Sequence, residues 1–207
     1  TRWLIDYHSQ CIEEWGIDIF RQDSRSKPLP DAETDRQGIG WARSAEGFYQ
    51  FWDALLERFP DLIIDVCGGG GLNIDLETLP RSVCLWRSDY QCAGIHNVDG
   101  AFNPTGMQGQ TYGISFWVPL SGGAVRTPTT YGVRSGFSPG VQVVVMDAFD
   151  PPEVDTTHVK RLMDEYMEIR HCFYGDYYPL TSYGLAEDQW MAWQFDRADL
   201  GEGIVQA

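Results

Sequence analysis

Leu62-Ile-Ile-Asp-Val-Cys67-Gly-Gly-Gly-Gly71 is a near-continuous apolar run closed by four glycines. A strand wetted on one face alternates apolar and polar side chains. A run of this kind is instead expected to bury both faces, as strands of a parallel sheet do under helical cover. Upstream of it and set off by Pro60, Phe48, Phe51, Trp52, Leu55, Leu56 and Phe59 recur at helical spacing, and Ser44 is placed to cap that helix. Further back, Trp3, Leu4, Tyr7, Cys11, Ile12 and Trp15 keep the same period, and Gly16 stands where a left-handed glycine would end the helix. Ile17–Phe20 then reads as a short strand finishing at Arg21-Gln22-Asp23, followed by a polar loop from Ser24 to about Arg43.

Downstream, Val83–Trp86 reads as a strand ending at Arg87-Ser88-Asp89. Further strands are expected at Gly113–Pro119 and at Val141–Met146, the latter ending at Asp147. A long helix is expected from near Asp155 through Val159, Leu162, Met163, Tyr166 and Ile169. After Tyr177-Tyr178-Pro179 the texture changes, and Trp190–Phe195 and Gly203–Gln206 read as antiparallel strands about a turn at Asp199–Gly201. Strand, helix and strand in succession imply a parallel sheet with helical crossovers, so the fold class is α/β. About five parallel strands fall short of the eight strands and about 250 residues of a complete barrel. Residues 1–185 therefore read as the later strands of a TIM (β/α)8 barrel, and residues 186–207 as the start of a β-rich C-terminal domain. A chain that opens on Thr1 without a leader pattern is expected to be a processed or excerpted piece of a longer protein. A part-barrel has open sheet edges, so self-association or reliance on missing barrel segments is expected.

Thirty acidic against fifteen basic residues give a net charge of −15 over 207 residues, which disfavours nucleic acid and anionic membrane surfaces as partners. The longest apolar stretches are far short of the roughly 20 residues that span a bilayer. Eight Trp, ten Tyr and ten Phe supply ample core material, so disorder is excluded. Five cysteines without a C-x-x-C pair do not suggest a disulfide framework, and the four histidines show no ligand spacing. A structural metal therefore has no support from spacing.

In parallel α/β folds the reactive groups gather at the carboxyl ends of strands. Asp23, Asp89 and Asp147 each stand just past an expected strand, and Phe-Arg-Gln-Asp23 and Trp-Arg-Ser-Asp89 share a frame with a cation two positions before the acid. Two carboxylates across a pocket mouth can cleave a glycoside, one attacking the anomeric carbon while the other donates a proton to the leaving oxygen. Arg21 and Arg87 would keep a carboxylate ionised. An acid at a strand end also caps loops and helices, and Asp65, inside a strand, reads as a hydrogen-bonded structural group. Cys67-Gly68-Gly69-Gly70-Gly71 admits three readings: a phosphate cradle, which lacks the P-loop lysine; a backbone surface open to sugar hydroxyls; or a tight bend. Trp86 is the aromatic placed to meet a sugar face.

Trp15-Gly-Ile-Asp-Ile-Phe-Arg-Gln-Asp23, the Leu62–Gly71 run and Leu85-Trp-Arg-Ser-Asp89-Tyr resemble, in order and spacing, the α-galactosidases of glycoside hydrolase family 36, above all the bacterial branch with an R-Q-D motif. The resemblance extends through Gln110–Gly113, Pro139-Gly140, Tyr174–Pro179 and Trp190–Gly203. It implies a retaining hydrolase of terminal α-galactosides with an oligosaccharide or glycoside substrate and no metal or organic cofactor. Asp23 would be the nucleophile after the fourth barrel strand, and Asp89 the general acid/base after the sixth. Arg21, Trp86, Arg87 and the Cys67 segment with Gly69 and Gly70 would bind substrate. Retention expects the two carboxyl groups about 5–5.5 Å apart. Arg25 stands where the family usually has an Asn, and Leu72-Asn73 where it has an Arg. These departures keep open a non-catalytic, carbohydrate-binding or degenerate barrel fragment, and the glycines a doubly wound nucleotide binder.

Overall fold

The computed structural model describes residues 1–23, 36, 38–92, 104–125, 128–143 and 155–207, without the side chains of Gln91 and Cys92. The expectations on Arg25, on Asp147 and on the end of the Val141–Met146 strand lie outside the described residues. The chain forms two compact units, Thr1–Cys84 and Leu85–Ala207.

In the first unit, α1 (Arg2–Trp15) ends at Gly16, whose φ of 63° is left-handed, and Ile17 N–H closes the motif on the Ile12 carbonyl at 3.1 Å. Its inward face is Ile5, Ser9 and Ile12, with Arg58 donating to Ser9 Oγ at 2.8 Å. Most of the expected apolar stripe looks outward instead: Trp3, Leu4, Tyr7 and Trp15 are exposed, and the Trp3 and Tyr7 rings stack at 5.2 Å. The strand β1 occupies Ile19–Gln22, two residues later than the apolar run suggested. The helix α2 spans Ile39–Arg58 and begins at Gly38 rather than Ser44, because a left-handed glycine turns the chain in without a side-chain cap. It buries Phe51, Trp52 and Leu55, worth about 1.5–3 kcal/mol for each large apolar side chain. The strand β2 (Ile63–Val66) runs parallel to β1 with Arg21 abreast of Asp65, and Val83 bridges Asp65 from the other side, also parallel. Ile12, Phe51, Trp52, Leu55, Leu62, Ile64, Val66 and Cys84 close the core.

The second unit contains α3 (Pro104–Ile114), β3 (Gly122–Val125), α4 (Thr130–Ser135), β4 (Gly140–Val143) and α5 (Thr156–Ile169). Strands β5 (Asp176–Pro179), β6 (Trp193–Arg197) and β7 (Glu202–Gln206) follow. Strands β3 and β4 pair in parallel, and β5-β6-β7 form an antiparallel sheet. The strand expected at Gly113–Pro119 is not formed. Gly113 and Ile114 finish α3, and the Trp117 and Val118 amides turn back onto the Ile114 carbonyl at 3.1 and 2.9 Å, leaving no extended ladder. The α5 expectation holds in detail, with Asp155 as N-cap accepting from His158 N–H at 3.0 Å. Val125, Val133, Phe137, Leu162, Tyr166, Phe173, Trp193 and Phe195 are among the residues of this core. Among the described residues no helix is long and apolar enough to cross a membrane.

Candidate active site

At the carboxyl end of the β1–β2 pair the first unit assembles a charged cluster. Parallel register sets Arg21 beside Asp65, and an Arg21 Nη1 hydrogen bond joins them. The Asp65 side chain is 5% exposed, so the guanidinium compensates a carboxylate taken out of water. The other guanidinium nitrogen, Nη2, reaches Asp23 Oδ2 at 3.7 Å. Asp23 follows directly on the last residue of β1, and its side chain is 64% exposed. A carboxylate with one cation behind it and solvent in front can accept an approaching electrophile or a cationic ligand.

The glycine turn closes over the same strand end. Gln22 O accepts from both Cys67 N–H, at 3.0 Å, and Gly68 N–H, at 3.4 Å. The Gly71 amide returns to the Cys67 carbonyl at 2.9 Å, and Gly70 N–H points at Cys67 Sγ at 3.5 Å. Gly68, Gly69, Gly70 and Gly71 all have positive φ, between 62° and 88°, a region that side-chain-bearing residues avoid. At Gly68 a Cβ would also overlap the side-chain amide of the buried Asn73. Asn73 thus packs beneath the turn, while its neighbour Leu72 is exposed. Burial pushes the Cys67 thiol above its ordinary range, and a hydrogen bond with the Asp23 carboxylate adds to this against the opposing Gly70 amide. A neutral thiol beside Asp23 is a hydrogen-bond partner and a weak nucleophile.

The second unit carries the other frame. Arg87 is buried, with Nη2 donating to the Met107 carbonyl at 3.1 Å and to Thr111 Oγ1 at 2.8 Å, and Nη1 to Ser121 Oγ at 3.4 Å. Trp86 is half-buried. Asp89 is exposed and opens the 3-10 turn Asp89–Cys92. Ser88 Oγ holds that turn by accepting from Tyr90 N–H at 3.0 Å and from Gln110 Nε2 at 3.1 Å. Gly106 is required where α3 passes this turn, since a Cβ there would lie 2.6 Å from Tyr90 Oη. Ser88, Gln110 and Gly106 were not singled out in the sequence. Ser88 and Gln110 fall within the resembling segments Leu85–Tyr90 and Gln110–Gly113, and Gly106 carried no signal.

The structure thus brings Asp23, Arg21, Cys67, Gly69 and Gly70 together within the first unit, along with Asp65, and places Trp86, Arg87 and Asp89 within the second. The turn after Cys67 is a tight bend whose backbone is open on its exposed side. No protein-family model matches the chain. The bifunctional α-galactosidase/sucrose kinase AgaSK of Mediterraneibacter gnavus is 40% identical over 75 residues, 36% of this chain and 7% of that protein. The α-galactosidase AgaA of Geobacillus stearothermophilus is 25% identical over 202 residues, covering 93% of this chain and 26% of that protein. The chain is related to the α-galactosidases of glycoside hydrolase family 36. The crystal structure of the Geobacillus enzyme matches 99% of this chain and 29% of its own, at 21% identity and a TM-score of 0.77. The mixed α/β fold with its C-terminal antiparallel sheet is therefore part of the fold of those enzymes. Variants of the Geobacillus enzyme have been solved in complex with raffinose and with stachyose. The chain spans about a quarter of the length of this relative, 26% by sequence.

Proposed function

We propose that this chain carries the catalytic strands of a retaining glycoside hydrolase acting on terminal α-galactosides, oligosaccharides of the raffinose and stachyose kind included. Residues 1–185 would supply the later staves of a (β/α)8 barrel, and residues 186–207 the start of a β-rich domain. The remaining staves would come from other barrel segments or another copy of the chain.

In the first step the Asp23 carboxylate forms a bond to the anomeric carbon as the bond to the leaving oxygen breaks, and Asp89 transfers its proton to that oxygen. In the second, Asp89 takes a proton from water, whose oxygen displaces Asp23 and restores the original configuration. Arg21 sets a positive charge behind Asp23, Trp86 meets the sugar face, and the Cys67 turn offers the Gly69 and Gly70 backbone to its hydroxyls. Arg87, anchored from within, serves the sugar by fixing the segment that bears Trp86 and Asp89.

The observation that carries this reading is the convergence of Asp23, Arg21 and the Cys67 turn on one strand end. Turnover of an activated aryl α-galactoside by the protein that contains this chain should fall at least about 10³-fold in Asp23→Ala. Proton NMR of early product should show α-galactose. Unchanged rates, or β-galactose first, would overturn the assignment. Sugar binding without turnover in the unaltered protein would select the non-catalytic reading.

A further inference from the structure

Away from these strand ends, three ligand-type side chains, two adjacent in sequence and one 30 residues on, meet at the C-terminal sheet. His171 and Cys172 lie on the 3-10 turn Arg170–Tyr174, and Glu202 opens β7. His171 Nε2 stands 2.6 Å from Glu202 Oε2 and 3.6 Å from Cys172 Sγ, and the three atoms lie within 4.8 Å of one another. One ring nitrogen therefore faces both the thiol and the carboxylate.

Backbone contacts hold this arrangement in place. Arg197 Nη1, on β6, donates to the His171 carbonyl at 2.9 Å, and Arg197 pairs in register with Glu202. A Cβ on Gly175, just past the turn, would overlap the Asp196 carbonyl, so the turn is pressed directly onto β6. Cys172 is 4% exposed, whereas the His171 and Glu202 side chains are 43% and 57% exposed. The buried thiol forms the floor and the other two form a rim open to solvent.

Zinc bonds of about 2.3 Å to sulfur and about 2.0–2.1 Å to nitrogen, at a tetrahedral angle, put those two atoms about 3.5 Å apart. The sulfur–nitrogen edge here already has that length. The nitrogen–oxygen edge would have to widen by about 0.7 Å to reach zinc geometry, a rotation that the exposed Glu202 side chain can make. The geometry points to a binding site for a divalent cation of the zinc class, with His171, Cys172 and Glu202 as its protein ligands and a fourth position open to water. Thiol, imidazole and a single carboxylate suit zinc or cobalt and not calcium or magnesium, which take shells of oxygen. Binding releases the Cys172 proton to solvent, and thiolate and carboxylate together offset the dication. The Arg197 guanidinium, the cation beside the site, is forked onto Asp199 at 2.8 Å through both Nε and Nη2.

The test is titration of the full, untagged chain with Co²⁺. One equivalent should bind, with a thiolate-to-cobalt charge-transfer band in the near ultraviolet and the visible bands of a tetrahedral site, both lost when Zn²⁺ is added. Cys172→Ser should remove the charge-transfer band. Glu202→Gln, at an exposed position, should weaken binding at least about tenfold, since loss of an outer-shell partner alone typically costs that much. Absence of a thiolate band in excess Co²⁺, or a band of full intensity in Cys172→Ser, would overturn the site. Should Cys172→Ser fail to fold by circular dichroism, unaltered affinity in Glu202→Gln would overturn it equally. None of these readouts depends on glycosidase activity.

Discussion

Arg21 and Arg87 occupy the same place in two similar frames, two residues ahead of Asp23 and Asp89, yet the fold uses them differently. Arg21 lies at the solvent boundary facing two carboxylates, because parallel register brings Asp65 abreast of it. Arg87 is drawn inside by α3, whose Met107 carbonyl and Thr111 hydroxyl accept from it. One arginine sets the charge around an acid, while the other holds together the structure beneath an acid. A shared motif therefore does not imply a shared role for each of its letters.

The largest expected effect separates the two directly. Arg87→Ala should cost about 3–4 kcal/mol, from lost packing and from the acceptors left behind in the interior. Arg21→Ala should cost about 1–2 kcal/mol, since water reaches the site and partly compensates Asp65. Denaturant unfolding of both variants measures the gap, and equal losses would break the contrast.

A smaller effect sharpens the picture on the Arg21 side. Gly68→Ala meets both a positive φ and the Asn73 amide and should lose about 2–3 kcal/mol. Gly69→Ala meets only the positive φ, its nearest neighbour atom being Leu72 Cδ1 at 3.8 Å, and should lose about 1 kcal/mol. Thermal melts of the pair check the ranking, and a reversed order would show that the turn is not held by Asn73.

The smallest effects are pH dependences of opposite sign. Burial pushes the Tyr166 phenol from its ordinary 10 up to about 12, and Tyr174 adds to this. The folded second unit thus favours the neutral phenol, and this contribution is intact below pH 10 and lost as pH rises toward 12. Burial lowers His8, which packs against Phe20 and Phe51, so the folded first unit favours neutral imidazole and loses stability as pH falls below the ordinary 6.5. Tyr166→Phe should reduce the alkaline loss, the remainder coming from Tyr177, whose phenol burial also pushes up, and His8→Phe should flatten the acidic one, each followed by urea midpoints across pH. A slope left unchanged by the substitution removes that residue as a source.

Where local chemistry and packing agree, the fold was legible in the sequence. The Gly16 stop, the Phe51-Trp52-Leu55 face, the apolar run at Leu62–Cys67, buried except at Ile63, and the helix start near Asp155 are all read from neighbours in sequence and recur in space. The missed elements are those whose composition answers to distant backbone. Strand β3 is Gly122-Gly123-Ala124-Val125, weak strand material, because a Cβ on Gly122 would overlap the Leu85 carbonyl. Helix α3 holds Gly106, Gly109 and Gly113, which hide its helical period, and Gly106 makes room for Tyr90. The strand-end position of Asp23 and the frame around Asp89 could be read from the run of apolar residues before each. The Arg21–Asp65 pairing, Asn73 beneath the turn and the Gln110 bond to Ser88 depend on register and tertiary contact, which single-sequence spacing does not carry. The same holds for His171 and Glu202, whose proximity arises only when β7 folds back along β6.

The Gln22 carbonyl accepts from two successive amides of the glycine turn. It works as a latch between β1 and a segment that has little side-chain mass with which to pin itself. Deuterium should enter the Cys67 and Gly68 amides in step with those of the β1–β2 ladder, so these two protons can serve as reporters of when that end of the molecule breathes.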